Sequence, residues 1–486
     1  MSLLIKGGDV VDGFGNSPKK NDILLIGEKI AAIGDLASYK ADEVILAPGS
    51  FVCPGFIDIS STSDTNLSLF KEPKQADFLK DGVTTIICGS KGESLAPIMY
   101  ADQAPPTNTC WTTVSEYLDA VASIKPGINF ATFAGYSSIR KSIVSKPRNI
   151  GQKEVSVLSH LLSQCLDEGA IGISVSDKGF AEFDASEEEI SAVIDIIKKS
   201  KKALFTSLIT EAKVSKQADE AIHFAENEVK VIIGELNKNL KSALAFNKLA
   251  EAIESKAPKA EFSFAVFPFP YYQFEASELF PSSIDLKNKK TAIESLKKKR
   301  VLSLFSKKAS ELDAENTFVW NMPANKKESF IIGKSIADFA KNRGIKPAEA
   351  LMRMIDIAGI DISFITKISN DSIIEKLIAH PKSIVGSSMW SPSSDLSDIH
   401  YKLSSPFTEF IKRSDYLGLS IESTIKKLCA PARILNLGKT GLIKEGYSAD
   451  ITIIKDGVPE KTIIKGGLSA KKEKLTENRK GKVIRK

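Results

Sequence analysis

The chain is poor in the side chains that most often bind transition metals. It has only four histidines and five cysteines in 486 residues. The cysteines are odd in number and form no Cys-x-x-Cys pair, which argues against a disulfide framework and a zinc ribbon; they are Cys53, Cys88, Cys110, Cys165 and Cys429. No apolar run approaches the roughly 20 residues of a membrane span, and the first residues lack the apolar core of a signal peptide. These absences predict a cytoplasmic protein with no membrane partner.

The composition is that of a globular protein with a large core. Hydrophobic residues make up 43% of the chain and charged residues 26%. The net charge of +6 is the small difference between 66 basic and 60 acidic side chains, so binding to nucleic acid is not expected. The clearest basic excess is in residues 469–486. We interpret it as a solvated tail, with contact to an anionic surface as the alternative.

Two kinds of periodicity divide the chain. Residues 1–55 contain short apolar runs between Gly, Asn and Lys turns, which is typical of a small β module. From residue 56, apolar strands alternate with amphipathic helices such as Glu187–Lys201, which indicates βα units. The eight predicted strands are Phe56–Ser60, Thr84–Gly89, Asn129–Gly135, Ala170–Ser176, Ala203–Ile209, Val229–Leu236, Glu261–Phe269 and Ser383–Ser387.

Eight such units predict an α/β fold with a (β/α)8 TIM-like barrel over residues 56–436. The seventh and eighth strands are more than a hundred residues apart, which is too far for one connecting helix, so an insertion or lid is expected at about 271–334. Short β runs return near the end of the chain. We therefore expect residues 1–55 and 437–486 to form one β-sandwich domain beside the barrel.

Several segments spread along the chain carry a family resemblance. In order, they are Pro54–Asp58, Gly82–Pro97, Glu168–Ser174, His380-Pro381 with Ile384–Ser387, Ala430–Arg433 and Gly441–Asp450. Together they resemble the N-acyl-D-amino-acid deacylase (D-aminoacylase) family of the amidohydrolase superfamily. The resemblance implies a barrel whose carboxyl end holds zinc, which polarises the scissile amide and activates a water molecule.

The resemblance also shows where the family's functional residues would fall. The family's His-x-His pair would fall on Ser60 and Thr62, and its bridging Cys on Lys91. The His residues after the fifth and sixth strands would fall on Ser207 and Glu235, and the final Asp on Ser388. The arginine that binds the substrate carboxylate would fall on Ile209. Neutral hydroxyls and a protonated lysine are poor zinc ligands. We therefore expect no metal, no cofactor and no transferable catalytic residue.

Two alternatives to an empty site remain open. Asp58, Asp64, Glu211 and Glu235 could form an oxygen-rich site for Mg²⁺ or Ca²⁺. The second hypothesis is an ion pair between Lys91 and Glu235 that fills the former metal site, against the alternative that both side chains point to solvent. The four histidines, at positions 160, 223, 380 and 400, show no ligand spacing and are interpreted as surface or structural residues.

Other catalytic patterns are absent or better explained by structure. Leu437–Thr440 lacks the first glycine of a phosphate-binding loop, because Arg433 stands at that position. No Gly-x-Ser-x-Gly elbow occurs, so the sequence lacks the nucleophile motif typical of serine hydrolases. Cys88 lies within an apolar strand, which favours a core residue over a nucleophile.

Aromatic and charged residues near the strand ends are the candidate ligand-binding set. Aromatic rings in residues 267–274 could line the barrel mouth, although packing is the alternative. The complete predicted set is Lys91, Tyr136, Arg140, Glu211, Glu235, Tyr271 and Tyr272. The partner expected there is a small molecule or a protein, and assembly into a homo-oligomer is a further alternative.

The sequence thus predicts a catalytically degenerate amidohydrolase, a pseudoenzyme that acts as a binding or structural protein. The alternative is an active hydrolase of non-peptide C–N bonds in N-acyl amino acids with a relocated or oxygen-ligand metal site.

Overall fold

The computed structural model of the protein describes most of the chain. The described residues are 2–64, 67–98, 111–144, 148–176, 179–207, 223–234, 251, 254–255, 261–281, 283–284, 286, 288–322, 329–367, 371–387, 403–472 and 474–486.

Five strands open the chain and belong to one sheet: β1 (Ser2–Val10), β2 (Lys19–Ile26), β3 (Lys29–Gly34), β4 (Glu43–Leu46) and β5 (Phe51–Pro54). β1 pairs antiparallel with β2 and parallel with β4 and β5. β2 continues the sheet by pairing antiparallel with β3.

Parallel strands form the centre of the molecule: β6 (Phe56–Asp58), β7 (Val83–Cys88), β8 (Asn129–Thr132), β9 (Ala134–Gly135), β10 (Gly172–Val175), β11 (Ala203–Ser207), β12 (Lys230–Gly234), β13 (Phe262–Val266) and, after the insertion described below, β17 (Ser383–Val385). One parallel sheet has the order β6-β7-β8 and the other has the order β9-β10-β11-β12-β13-β17. Only Phe133 separates β8 from β9, so the two sheets are continuous in sequence at that point.

All eight predicted strands coincide with these parallel strands, and the predicted α/β class is confirmed. The strands could be predicted because parallel strands are covered on both faces and therefore form nearly continuous apolar runs. Every residue of β7, for example, is buried. Apolar side chains from most of the parallel strands, and from residues next to them, form one cluster; it includes Ile57, Ile59, Ile87, Phe133, Ile171, Phe205, Ile232, Ala265 and Ile384.

The α-helices precede, connect and follow the parallel strands: α1 (Ser68–Lys71), α2 (Ala76–Lys80), α3 (Val114–Ser123), α4 (Tyr136–Ile143), α5 (Gln152–Asp167), α6 (Glu187–Ser200), α7 (Lys289–Ser295), α8 (Lys299–Ser310), α9 (Ile336–Arg343), α10 (Pro347–Ala358), α11 (Asp371–Ala379), α12 (Pro406–Tyr416) and α13 (Ile421–Ile434). Among the described residues, no helix is long and apolar enough to cross a membrane.

Helix α6 shows how local sequence sets these elements. The Ser186 hydroxyl accepts a hydrogen bond from the Glu189 N–H at 3.2 Å and caps the helix. Three glutamates occupy its first turn and two lysines its last, which suits the helix dipole. Its buried face carries Val193, Ile194 and Ile197. The helix predicted over Glu187–Lys201 is therefore present.

The insertion after β13 has its own core. Strands β14 (Tyr271–Glu275), β15 (Thr317–Asn321) and β16 (Ser363–Lys367) form an antiparallel sheet in the order β14-β16-β15. Helices α7 to α10 pack on this sheet around a separate apolar cluster. The central strand β16 lies well beyond residue 334, so the insertion is longer than the predicted range of 271–334.

Both ends of the described chain meet in one sheet. Strands β18 (Ile451–Lys455), β19 (Val458–Ile464), β20 (Gly467–Lys471) and β21 (Lys474–Leu475) are antiparallel, and β18 pairs with β5. All nine strands of the two terminal segments belong to this one hydrogen-bonded sheet. The division of this sheet into two packed layers stays a prediction. So do the domain limits, which are 1–55, 56–436 and 437–486.

The basic residues at the end of the sequence are docked on the amino-terminal end of the parallel strands. Phe130 N–H donates to the Lys482 carbonyl at 2.9 Å, and Ile484 N–H donates to the Phe130 carbonyl at 2.8 Å. Arg485 is paired with Asp119. The prediction of a solvated tail is therefore corrected for residues 481–486. The signal for docking was the apolar pair Val483-Ile484 within the basic run.

Candidate functional site

Buried serines surround the carboxyl ends of β6, β7, β10 and β17. Their exposed fractions are 9% or less, which means that the polar groups in this region need partners within the protein; they are Ser60, Ser61, Ser63, Ser90, Ser94, Ser174, Ser176 and Ser387. Active sites of barrel enzymes lie at this end of the strands. We call this set the serine cluster.

Asp58 joins the first parallel strand to the last. Its carboxylate accepts hydrogen bonds from the Ser387 N–H at 2.9 Å, from the Ser387 hydroxyl, and from the Ser60 N–H at 3.2 Å. Complete burial raises the pKa of Asp58 to about 6, and the bonds from Ser387 and Ser60 oppose that rise. These contacts give Asp58 a structural role.

Asp64 holds the turn that follows β7. Its Oδ2 accepts from the Gly89 N–H at 3.0 Å, and its side chain is 1% exposed. Cys88, the residue before this turn, is buried, and burial raises the pKa of its thiol well above the usual value. The neighbouring Asp64 charge raises it further. A core role for Cys88 fits its surroundings better than a nucleophilic one.

The loop after β7 packs tightly against β9 and β10. Gly92 N–H donates to Ser174 Oγ at 3.1 Å, and the Ser174 hydroxyl donates to the Gly89 carbonyl. Gly92 has φ +77°, and a Cβ placed on it would lie 2.4 Å from the Ser176 nitrogen. Only glycine fits there. The loop is therefore fixed next to the serine cluster.

One hydroxyl in this loop was missed by the sequence analysis. Ser90 is 2% exposed, and its Oγ has no hydrogen-bond partner among the described residues. A buried hydroxyl without a partner costs free energy, so a bound water or ligand atom would stabilise it. The sequence carries no signal for this, because only the fold shows which serines lack acceptors.

The predicted site residues at the strand ends are only partly described. Ser60 is buried and Thr62 half-buried after β6, and Lys91 is half-buried between Ser90 and Gly92. Ser207 ends β11. Ile209, Glu211, Glu235, Ser388 and His400 lie outside the described residues. The hypotheses of a Lys91–Glu235 ion pair and of an oxygen-ligand cation site therefore stay predictions.

Tyr136 and Arg140 are buried rather than exposed at a pocket. Both are 0% exposed, and both donate to Oε1 of Glu189 on α6, with Arg140 Nε at 2.7 Å. Arg140 Nη2 also donates to the Arg148 carbonyl at 2.7 Å. Burial, followed by the Glu189 charge, raises the pKa of Tyr136 far above its usual value. Tyr136 and Arg140 thus belong to a buried polar group between α4 and α6, and their ligand-binding role stays a prediction.

The aromatic candidates lie where the insertion begins. Tyr271 is half-buried at the start of β14 and packs against the main apolar core. Burial raises the pKa of its phenol, with a further contribution from the charge of Asp371. Tyr272 is the next residue of β14, and its side chain is outside the described part. This placement agrees with the packing alternative for Tyr271.

No group of three or more His, Cys, Asp or Glu side chains among the described residues is arranged to hold a metal ion. The donors that the structure does describe after β6 and β7 include serine and threonine hydroxyls, a lysine, and two carboxylates that already accept backbone N–H groups. A third carboxylate, Glu93, is exposed and pairs with Lys141 at 3.0 Å. Zinc sites in proteins use imidazole, thiolate and uncommitted carboxylate. The described donors do not fit zinc.

Sequence and structure comparisons both include matches to deacylases. An N-acyl-D-glutamate deacylase from Alcaligenes xylosoxydans xylosoxydans is 24% identical over 482 residues, which cover 93% of this chain and 87% of that protein. A solved D-aminoacylase superposes with a TM-score of 0.76 and 21% identity, covering 100% of this chain and 99% of that one. The chain is related to the D-aminoacylases.

Two further matches support this relation to the D-aminoacylases. A D-aminoacylase from Alcaligenes xylosoxydans xylosoxydans is 32% identical over 180 residues, which are 35% of this chain and only 37% of that protein. The N-acyl-D-glutamate deacylase from Bordetella bronchiseptica, solved with zinc and a phosphonate inhibitor, has a TM-score of 0.77 and 20% identity, and the match covers 100% of this chain and 99% of that one. No protein-family model matches the chain.

Proposed function

We propose that this D-aminoacylase relative is a catalytically degenerate amidohydrolase that binds a small molecule or a partner at the serine cluster without hydrolysing it. The observation that carries the proposal is the donor set after β6 and β7. Ser60 and Thr62 stand where the family resemblance places the His-x-His pair, and both are hydroxyl residues. Fold persists more readily than chemistry, because chemistry depends on a few site residues.

The electrostatics of Asp58 support the same proposal. A carboxylate that binds zinc has to be ionised and free to turn toward the metal. Asp58 accepts three hydrogen bonds from Ser387 and Ser60, and burial raises its pKa to about 6. Removing these bonds to bind a cation would leave the Ser387 and Ser60 N–H groups buried without acceptors.

Binding is supported by the unsatisfied hydroxyl and the rigid loop beside it. Ser90 Oγ lacks a partner among the described residues, while Gly89 and Gly92 are fixed by Asp64 and Ser174. A fixed loop that carries an available hydroxyl can orient a polar ligand with little loss of conformational entropy. Lys91, in the same loop, would supply positive charge to an anionic group.

We extend the proposal to the arrangement of the sheets and of the insertion. We infer that the two parallel sheets form one closed (β/α)8 barrel, in which the bonds between Asp58 and Ser387 join β6 to β17. The terminal sheet would fold over its own apolar cluster as a sandwich. The insertion would lie over the barrel mouth as a lid. We also propose a cytoplasmic location, since Cys53, Cys88, Cys165 and Cys429 are buried free thiols.

The second candidate is an active hydrolase of non-peptide C–N bonds in N-acyl amino acids. The names of the sequence relatives favour it, because they are deacylases. Under this alternative, Glu211 and Glu235 would supply oxygen ligands for a cation together with Asp58 and Asp64.

The experiment that separates the two candidates is a deacylation assay. Purified protein is incubated with a panel of N-acetyl-D-amino acids, with added zinc and, in parallel, with chelator. The degenerate protein releases no acetate above background in either condition. Chelator-sensitive deacylation that disappears in an Asp58→Asn, Asp64→Asn double variant of retained stability would support the hydrolase and contradict our proposal.

A further inference from the structure

A cavity lies at the amino-terminal end of the parallel strands, at the opposite end from the serine cluster. Its volume is about 470 Å³. It is bounded by the beginnings of β12, β13 and β17 and by one side of helix α13. This volume lies within the range of small-molecule sites in proteins.

The lining of this cavity is strongly basic. Five of its side chains are basic and one, Glu261, is acidic; the basic ones are Lys230, Lys382, Lys426, Lys427 and Arg433. Glu261 already pairs with Lys230 at 2.8 Å. The remaining four cations have no acidic counterpart in the lining. Since like charges placed around one recess repel each other, a bound anion would relieve the repulsion.

Two of the cations are held in place by the protein. Lys427 is 6% exposed, and its Nζ donates to the carbonyls of Ile378 at 2.6 Å and His380 at 2.7 Å and to Ser383 Oγ at 2.9 Å. Burial lowers the pKa of Lys427 to about 8. Lys382 Nζ lies 5.2 Å from the centre of the Phe262 ring. These contacts fix positive charge in the wall of the cavity.

The other two cations are available. Lys426 and Arg433 are exposed and stand seven residues apart on α13, so they lie about two turns apart on the same side of the helix. Neither side chain has a hydrogen bond or ion pair to any of the described residues. The planar fork of an arginine matches two oxygens of a phosphate group, and a nearby lysine adds a point charge.

The rest of the lining combines apolar residues with three serines, Ser263, Ser383 and Ser423. Phe262 and Ile384 are buried, while Ala430 and Ile434 are half-buried along α13. Such walls suit the carbon part of an organic ligand. The recess therefore offers both cationic and apolar groups to a ligand.

We propose that the cavity between the strand beginnings and α13 binds a phosphate-bearing small molecule, with Arg433 and Lys426 as its direct contacts. Lys427 and Lys382 act as fixed charges behind them. The site is at the opposite end of the strands from the serine cluster, so it holds whether or not the protein hydrolyses amides.

The test uses phenyl phosphate as the organic probe and pyrophosphate as the inorganic one, both titrated into the full chain by calorimetry at low salt. We expect saturable binding of one probe molecule per chain. The Arg433→Ala and Lys426→Ala variants should each weaken it about tenfold. Arg433→Lys keeps the charge but loses the fork, and an intermediate affinity is expected.

The matched control is the Lys307→Ala, Lys412→Ala double variant. It removes two exposed cations elsewhere on the surface and changes the net charge by the same amount as the Arg433→Ala, Lys426→Ala double variant. Its affinity for phenyl phosphate should equal that of the unmodified chain. An equal loss in both double variants would show unspecific charge attraction and overturn the proposal. Absence of binding at millimolar probe would do so too.

A phosphate group could also belong to a lipid headgroup. Vesicles that contain phosphatidic acid distinguish this source from a free molecule. The proposal expects no co-sedimentation of the protein with such vesicles, because the contacts lie in a recess. Co-sedimentation that is lost in Arg433→Ala, combined with no binding of phenyl phosphate, would contradict it.

Discussion

The buried polar core around Glu189 yields the sharpest stability prediction. Arg140 Nε and Glu189 Oε1 are 2.7 Å apart, and both side chains are 0% exposed. Arg140 Nη1 and Glu189 Oε2 have no partner among the described residues, so neither ion is fully compensated. Replacing Arg140 with Met leaves the Glu189 carboxylate buried without its counter-ion, although the Tyr136 hydroxyl still donates to it.

Removal of one member of a buried ion pair costs about 3–5 kcal/mol of the free energy of unfolding. We expect that range for Arg140→Met and for Glu189→Leu. The double variant should cost less than the sum of the two by about 2 kcal/mol, because it removes both charges together. Some cost remains, since the Tyr136 hydroxyl loses its acceptor.

Urea unfolding followed by circular dichroism measures these values, provided that the slope of the transition is unchanged. The exposed pair of Arg148 and Glu154, at 2.6 Å, is the matched control. Breaking it should leave the urea midpoint almost unchanged, because water screens the charges. Losses below about 1 kcal/mol for both Arg140→Met and Glu189→Leu, or strictly additive losses, would refute the buried placement of this pair.

Three further predictions concern other parts of the fold. Burial raises the pKa of Asp81 to about 7, so the folded chain retains a proton that the unfolded chain loses near pH 4. The free energy of unfolding should therefore fall as the pH rises from about 4 to 7, and it should fall less in Asp81→Asn. Urea midpoints across that pH range measure this. Deletion of residues 481–486 removes the backbone bonds to Phe130 and should lower the thermal midpoint by several degrees, whereas an unchanged midpoint would contradict the docking. Gly92→Ala should cost about 1–3 kcal/mol in urea unfolding, because its Cβ would meet the Ser176 nitrogen at 2.4 Å; no loss would contradict the tight loop.

The sequence predicted the strands wherever burial on both faces produces a continuous run of apolar residues. Each parallel strand is covered on both faces, so β7 and its neighbours appear as apolar runs that need no knowledge of the fold. No such run of apolar residues marks where the insertion ends. Helix α10 is as amphipathic as helices of βα units, and only the sheet pairing of β16 assigns the residues around it to the insertion.

The candidate site was less predictable, because its contacts join residues far apart in sequence. The partner of Tyr136 and Arg140 is Glu189, 53 and 49 residues away, at a position that the sequence marks only as an acid in the first turn of a helix. The resemblance alone showed that Ser60 and Thr62 stand at the positions of the family's His-x-His pair. It could not show the hydrogen bonds that the Asp58 carboxylate accepts, since these depend on Ser387, 329 residues later.

Zinc content is the most direct test of the central claim that the metal chemistry has been lost. The chain is expressed in zinc-supplemented medium, purified without chelator and measured by inductively coupled plasma mass spectrometry, with a Ser60→His, Thr62→His variant beside it. We expect well below one zinc ion per chain in the unmodified protein. One or two tightly held zinc ions per unmodified chain would contradict the claim.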